Sequence, residues 1–179
     1  MHFKSITVFC GSKSGNQQAY TLEAAALGKW MANHNIELVY GGGNKGIMGA
    51  LANACLANGG KVLGIIPKLL LEWEAQHDGL TELIITEDMH DRKKLLYEKG
   101  DAAMVLPGGI GTLDELFEML TWNNLKIHNK KVFILNVNGF YNALIQLLDT
   151  MDKEAFLYDG WRERFIICHS VAEFATLFS

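Results

Sequence analysis

The chain has 179 residues, which is enough for one hydrophobic core and too few for two domains of ordinary size. Hydrophobic residues make up 49% and charged residues 20%, a composition typical of folded globular proteins that excludes the disordered and fibrous classes. The net charge of −4 gives little electrostatic support to a nucleic-acid or anionic-membrane surface. We therefore expect a single domain over residues 1–179 that binds a small molecule, with no nucleic acid and no membrane as partners.

Short apolar runs alternate with longer segments of helical periodicity along the whole chain. The predicted strands are 6–10, 37–40, 61–66, 82–86, 102–106, 132–136 and 165–168. The predicted helices are 19–33, 47–58, 89–99, 113–125, 141–150 and 171–178, the last with Ser170 and Glu173 as its capping box. This alternation predicts an α/β fold, a parallel sheet with helices on both faces. Residues 68–79 are the least regular stretch and are either a lid or a short additional helix.

The cysteines and histidines carry no pattern of a disulfide framework or a metal site. Cys10, Cys55 and Cys168 are odd in number and widely spaced, which favours a reducing compartment. The histidines form no HxH or HExxH pattern, so we expect no metal. The first residues lack the features of a secretory signal, and no apolar run approaches the roughly 18 residues of a membrane-spanning helix. We expect a cytoplasmic protein.

Three glycine-rich segments each follow a predicted strand and precede a helix: GSKSGN at 11–16, GGGNKGIMG at 41–49 and PGGIGT at 107–112. Glycine allows backbone N–H groups to approach an anion closely, and a helix N-terminus adds positive potential. The alternative for any one of them is a tight turn that needs glycine only for its backbone. Neither a Walker motif nor a regular GxGxxG is present, which disfavours an NTPase or an ordinary dinucleotide enzyme.

The third glycine segment runs into the spacing Thr112-x-x-Glu115, which is also that of a capping box. Glu115 is therefore either a helix cap or a catalytic carboxylate. At about 100° per residue, Glu115, Met119 and Trp122 lie on a different side of this helix from the stripe of Leu113, Leu116, Phe117 and Leu120. This second stripe predicts contact with a second subunit.

The helix predicted at 89–99 raises a similar question for Arg92. Asp88 is the expected N-cap, and Arg92 and Lys93 flank an inward stripe of Met89 and Leu96. Arg92 therefore either extends along the edge of the core into water or binds a ligand near the glycine segments.

Three motifs together carry a family resemblance: YGGGNKGIMG at 40–49, MHDRK at 89–93 and PGGIGTLDE at 107–115. In this order and spacing they resemble the LOG ("lonely guy") family, whose members are cytokinin riboside 5′-monophosphate phosphoribohydrolases formerly described as lysine decarboxylases. The resemblance implies a Rossmann-like, doubly wound sheet and a homodimer, or a multiple of one, with sites at the interface. It implies no cofactor, and a substrate that is a cytokinin riboside 5′-monophosphate, AMP or both. Lys13 and Asp91 depart from the GSSxG and MHERK forms common in the family.

The same resemblance assigns Arg92 and Glu115 as the catalytic pair. A carboxylate at Glu115 suits stabilisation of an oxocarbenium-like sugar or orientation of water, and Arg92 suits charge stabilisation because it does not give up its proton. The predicted substrate-binding residues are Ser12, Gly42, Gly43, Met89, Lys93, Gly108, Gly109, Gly111 and Thr112. Glu74 is, with Met89, a weaker candidate for the base pocket.

Two other functions use the same sequence features. A noncatalytic nucleotide- or cofactor-binding module would need the glycine segments but no carboxylate at the sugar. A decarboxylase would need pyridoxal phosphate and a lysine in a Schiff base, and no lysine stands in a recognisable pyridoxal setting.

Overall fold

The computed structural model describes residues 2–71 and 76–178, and these form one seven-stranded parallel sheet. The strands are β1 (Ser5–Phe9), β2 (Glu37–Tyr40), β3 (Val62–Pro67), β4 (Glu82–Thr86), β5 (Ala102–Val105), β6 (Val132–Leu135) and β7 (Phe165–Cys168). Their spatial order is β4-β3-β2-β1-β5-β6-β7. Ile6 of β1 is in register with Leu38 on one side and Ala102 on the other.

The helices of the described residues are α1 (Gln18–Asn33), α2 (Gly46–Ala57), α3 (Met89–Lys99), α4 (Ile110–Asn124), α5 (Asn142–Lys153) and α6 (Val171–Thr176). Short 3₁₀ turns cover Lys68–Leu70, Val137–Gly139 and Trp161–Arg164. The predicted order of strands and helices is confirmed, and nearly all boundaries agree to within two residues. None of the helices in the described ranges is long and apolar enough to cross a membrane.

The chain winds outward from β1 through β2 and β3 to β4, and then returns to place β5 on the other side of β1. This reversal makes the sheet doubly wound, so the predicted fold class is confirmed. In such sheets the loops after the two strands at the reversal diverge to opposite faces, which opens a crevice at their carboxyl ends. Here that crevice lies between the segments that follow β1 and β5.

The core has two layers, one on each face of the sheet. Leu27 of α1, Leu51 of α2 and Phe174 of α6 are buried in one layer. Leu96 of α3 and Leu116 of α4 are buried in the other. Because both faces are covered, the central strands are apolar on both sides, as their continuous apolar sequences predict.

The second stripe of α4 is covered in large part by the chain itself. Met119 is only 1% exposed and belongs to the core layer of α3 and α4. Trp122 packs edge-to-face on Tyr97 of α3, with ring centroids 4.8 Å apart. The prediction that a second subunit is needed to cover this stripe is therefore wrong, because α3 lies where the partner was expected.

Two of the expected helix starts are confirmed and one is wrong. Asp88 caps α3, its Oδ1 accepting from the backbone N–H groups of His90 and Asp91 at 2.8 and 2.9 Å. Ser170 caps α6 by accepting from Glu173 N–H at 3.1 Å. In contrast, α4 begins at Ile110, with Gly109 as its N-cap, so Thr112 and Glu115 form no capping box.

Candidate active site

A cavity of about 620 Å³ lies at the carboxyl ends of β1 and β5, at the reversal of strand order. Its walls come from the β1–α1 segment, the start of α2, Arg92 of α3, and the β5–α4 segment with the first turns of α4. The segments after β1 and β5 are joined directly, because Gly11 N–H donates to Pro107 O at 3.1 Å. The cavity is therefore bounded on two sides by glycine segments that come from distant parts of the sequence.

Arg92 reaches the cavity from the first turns of α3 and is only 7% exposed. Its Nε donates to Ile65 O at 3.2 Å, which orients the guanidinium at the end of β3. Its Nη1 lies 4.0 Å from Met89 Sδ, and its Nη2 lies so close to Gly41 that a Cβ there would overlap it. Extension of Arg92 into bulk water is thus ruled out, and the cation lines the cavity.

Glu115 lies one and a half turns into α4, half-buried, and its side chain also lines the cavity. Because α4 begins at Ile110, Glu115 is too far along the helix to cap it. The geometry therefore removes the capping explanation for this carboxylate. Arg92 and Glu115 enter one cavity from two neighbouring helices on the same face of the sheet.

The β5–α4 segment has the properties of a phosphate cradle. Gly109 and Gly111 line the cavity, and no atom lies within 4 Å of where a Cβ would be at either position. The first turn of α4 directs its free backbone N–H groups and its positive helix end toward this space. Thr112 is 4% exposed and packs against Gly108, while Ser12 faces them from the β1–α1 segment.

The structure thus brings part of the predicted set together in one cavity: Arg92, Glu115, Ser12, Gly108, Gly109, Gly111 and Thr112. Four predicted binding residues are not among the described residues that line this cavity: Gly42, Gly43, Met89 and Lys93. Glu74 lies outside the described residues.

Each of these four residues has a different environment. Gly42 has a φ of +80° and packs against Ile66, and Gly43 pairs with Gln76 in an isolated antiparallel bridge. Met89 is 36% exposed and contacts Arg92 through its sulfur. Lys93 forms ion pairs with two carboxylates of α4, so its ammonium group is bound by the protein itself.

No pattern in the sequence indicated the aromatic wall of the cavity. Tyr20 of α1 and Phe140 of the β6–α5 segment meet edge-to-face with ring centroids 5.6 Å apart. The next residue, Tyr141, donates its hydroxyl to Leu106 O at 2.7 Å, and its burial raises the pKa of that hydroxyl. This hydrogen bond holds the neighbouring Phe140 close to the end of β5. Phe140 thus meets Tyr20, although more than a hundred residues separate the two in the sequence.

Comparison with known proteins gives a consistent set of relatives. A family model described as "possible lysine decarboxylase" matches residues 48–178. A cytokinin riboside 5′-monophosphate phosphoribohydrolase of Rhodococcoides fascians is 45% identical over 94% of this chain and 85% of the relative. A protein of the same name from Arabidopsis thaliana is 42% identical over 96% of this chain and 80% of the relative.

Solved structures match the fold at lower identity. The molybdenum cofactor carrier protein of Chlamydomonas reinhardtii superposes with a TM-score of 0.74 at 20% identity, covering 99% of this chain and 96% of that one. The molybdenum cofactor binding protein of Rippkaea orientalis superposes with a TM-score of 0.74 at 22% identity and the same coverage. At these identities the similarity concerns the fold alone.

Proposed function

Because the chain belongs to the LOG family, whose family model is described as possible lysine decarboxylase, we propose that it hydrolyses the N-glycosidic bond of nucleoside 5′-monophosphates. The resemblance predicted from the three sequence motifs is confirmed. The products are the free base and ribose 5-phosphate. The chain is an enzyme of this class, since its curated relatives are named phosphoribohydrolases over most of its length.

The observation that carries the proposal is the presence of Arg92, Glu115 and the β5–α4 phosphate cradle in one cavity. In the reaction, the bond between C1′ and the base nitrogen breaks and its electron pair leaves with the base. Water supplies a hydroxyl group to C1′ and a proton to the base. The sugar carries positive charge in the transition state, so a carboxylate beside it lowers the barrier and can orient the water and accept its proton.

Arg92 has the complementary task. The departing base gains electron density, and a fixed cation in a largely buried setting stabilises that charge without having to reorganise. An arginine stays protonated throughout, since its pKa exceeds about 12. We therefore assign Arg92 to charge stabilisation and orientation, and assign proton transfer to Glu115 and water.

The phosphate supplies binding energy at a distance from the reacting bond. The N–H groups of the first turn of α4 and the open space at Gly109 and Gly111 suit a dianion. Interactions with this group hold the sugar in place against Glu115. Nucleoside 5′-monophosphates are therefore substrates, and the corresponding nucleosides are cleaved far more slowly.

We propose AMP and N6-modified AMP as the substrates. The test is base release from AMP, isopentenyl-AMP, GMP and CMP, each compared with its nucleoside. We expect the two adenine nucleotides to be cleaved. Equal kcat/KM for AMP and adenosine would contradict the role of the cradle, and binding of every nucleotide without base release would favour the noncatalytic alternative.

The role of Glu115 is tested by Glu115→Gln, which keeps the shape of the side chain and removes its charge. We expect base release from AMP to slow by about 100-fold or more, because the amide neither offsets the oxocarbenium charge nor accepts a proton. Since Glu115 does not cap α4, the melting temperature should stay close to that of the wild type. Glu98→Gln, an exposed carboxylate on α3, is the matched control and should keep full activity. Retention of the rate in Glu115→Gln within a few fold would assign the carboxylate elsewhere.

The assembly and location of the enzyme follow from the resemblance and the cysteines. We propose a homodimer, or a multiple of one, although the stripe on α4 no longer supports it. Sedimentation showing only monomer at micromolar concentration would contradict this. We propose a cytoplasmic location because Cys10, Cys55 and Cys168 are buried cysteines that form no disulfide, in keeping with a reducing compartment.

A further inference from the structure

The two helices that carry the proposed catalytic residues are joined by a cluster of charged side chains. Lys93 follows Arg92 on α3, and Asp114 precedes Glu115 on α4. Lys93 Nζ lies 2.9 Å from Asp114 Oδ2 and 2.6 Å from Glu118 Oε2. The link between the helices therefore includes an immediate neighbour of each proposed catalytic residue.

Tyr97 completes this cluster one turn further along α3. Its hydroxyl donates to Glu118 Oε2 at 2.6 Å, so Glu118 binds both Lys93 and Tyr97. Burial and the hydrogen bond to Glu118 raise the pKa of Tyr97, so the hydroxyl is protonated at neutral pH. The Tyr97 ring also packs on Trp122, which adds an apolar contact between the same two helices.

The Lys93 side chain is largely withdrawn from water, with 19% of its surface exposed, and Glu118 is 26% exposed. Desolvation disfavours the charge on Lys93, but the hydrogen bonds and charges of Asp114 and Glu118 outweigh it and raise its pKa. Ion pairs on a fully exposed surface contribute little, whereas a partly buried pair with good geometry holds its partners in a defined position. Lys93 is thus charged, paired on two sides, and directed at α4 rather than at the cavity.

We infer that Lys93 is a positioning residue, which sets the separation of Arg92 and Glu115 by fixing α3 to α4. The inference rests on the proposed function. It replaces the direct substrate contact predicted from the sequence. The expected consequence is kinetic, because reacting groups misplaced by about 1 Å lose roughly 100-fold in rate.

The test is Lys93→Met, which keeps the length of the side chain and removes its charge, compared with Lys93→Arg. We expect Lys93→Met to lower kcat for AMP by about tenfold or more with KM within about threefold of wild type. Lys93→Arg bridges both carboxylates and should recover kcat to within a few fold. Lys94→Met, at an exposed position on the same helix, controls for charge and should behave as wild type.

Lys93→Met also leaves Asp114 and Glu118 uncompensated and can impair folding. The triple variant Lys93→Met, Asp114→Asn, Glu118→Gln removes all the charges together and keeps the shapes. It should fold with cooperative melting and still show the low kcat. A raised KM with unchanged kcat would assign Lys93 to the substrate instead, and unchanged kinetics with a lowered melting temperature would reduce it to a structural ion pair. If the wild-type protein released base from no nucleotide, the proposed function itself would be refuted. If instead the Lys93 variants turned over as fast as an active wild-type protein, only the inference about Lys93 would be refuted.

Discussion

The glycine segments at 41–49 and 107–112 are similar in sequence, but their glycines have different surroundings in the structure. In the segment at 41–49, the space that a Cβ would occupy is filled by protein: Arg92 at Gly41, Ile66 at Gly42 and the backbone of Ser12 at Gly46. In the segment at 107–112, Gly109 and Gly111 face open space and line the cavity. In the segment at 41–49 these glycines let parts of the protein approach each other. In the segment at 107–112 Gly108 does the same against Thr112, whereas Gly109 and Gly111 leave open space at the cavity.

This difference shows that glycine content alone does not identify a ligand site. A glycine that admits a neighbouring backbone contributes to stability, whereas a glycine beside empty space contributes little to the fold. Substitution by alanine therefore separates the two segments, since it adds one methyl group, together with a conformational cost where φ is positive.

The largest effect is expected for Gly46→Ala, at the start of α2. Gly46 has a φ of +60°, and an added Cβ would lie 2.5 Å from the carbonyl carbon and oxygen of Ser12. The left-handed conformation costs roughly 1–2 kcal/mol and the overpacking roughly 1–3, so we expect a loss of about 2–5 kcal/mol in the free energy of unfolding. Denaturant titration measures this loss.

Gly59→Ala is the control for Gly46→Ala. Gly59 has a φ of +77° with no atom within 4 Å of where the added methyl group would lie, so only the conformational cost applies, about 1–2 kcal/mol. Equal losses of unfolding free energy in the two variants would mean that the close approach of Gly46 to Ser12 does not contribute to the loss.

A smaller effect on stability and a clear effect on catalysis are expected for Gly41→Ala. The added methyl group overlaps Arg92 Nη2, the end of a flexible side chain that can move away without unfolding the protein. We expect kcat for AMP to fall by about tenfold or more, with a melting temperature close to wild type, because the guanidinium leaves its position.

A double-mutant cycle with Arg92→Ala checks this explanation. In the Arg92→Ala background no guanidinium remains to be displaced, so Gly41→Ala should have little further effect on kcat. Additive losses in the cycle would show that Gly41 acts independently of Arg92.

The smallest effect is expected for Gly111→Ala, in the first turn of α4. Alanine is favoured over glycine in a helix, so stability should rise by about 0.5 kcal/mol or stay unchanged. The methyl group projects beside the cradle, and we expect KM for AMP to rise by a few fold, because a phosphate bound by backbone N–H groups needs close approach. An unchanged KM would place the phosphate away from Gly111.

The start of α4, after β5, differs from the start that the local sequence predicts. Thr112 and Glu115 have the spacing of a capping box, and that spacing predicted a helix beginning at residue 113. In the structure Pro107 is held by Gly11 N–H, the turn closes by Gly109, and the backbone N–H of Leu113 already donates to Gly109 O at 3.2 Å. The helix therefore begins three residues before the predicted start, next to a contact with the segment after β1 that the local sequence does not reveal.

The sequence by itself determined the α/β fold, the order of strands and helices, and the family, because apolar periodicity and the motifs at 40–49, 89–93 and 107–115 are local patterns. Only the tertiary structure decided which glycines face the cavity, that Phe140 meets Tyr20, that Met119 is core, and that Lys93 is bound by α4. Each of these depends on how close two distant segments come. That distance is set by the packing of helices on the sheet, which periodicity along the chain does not encode.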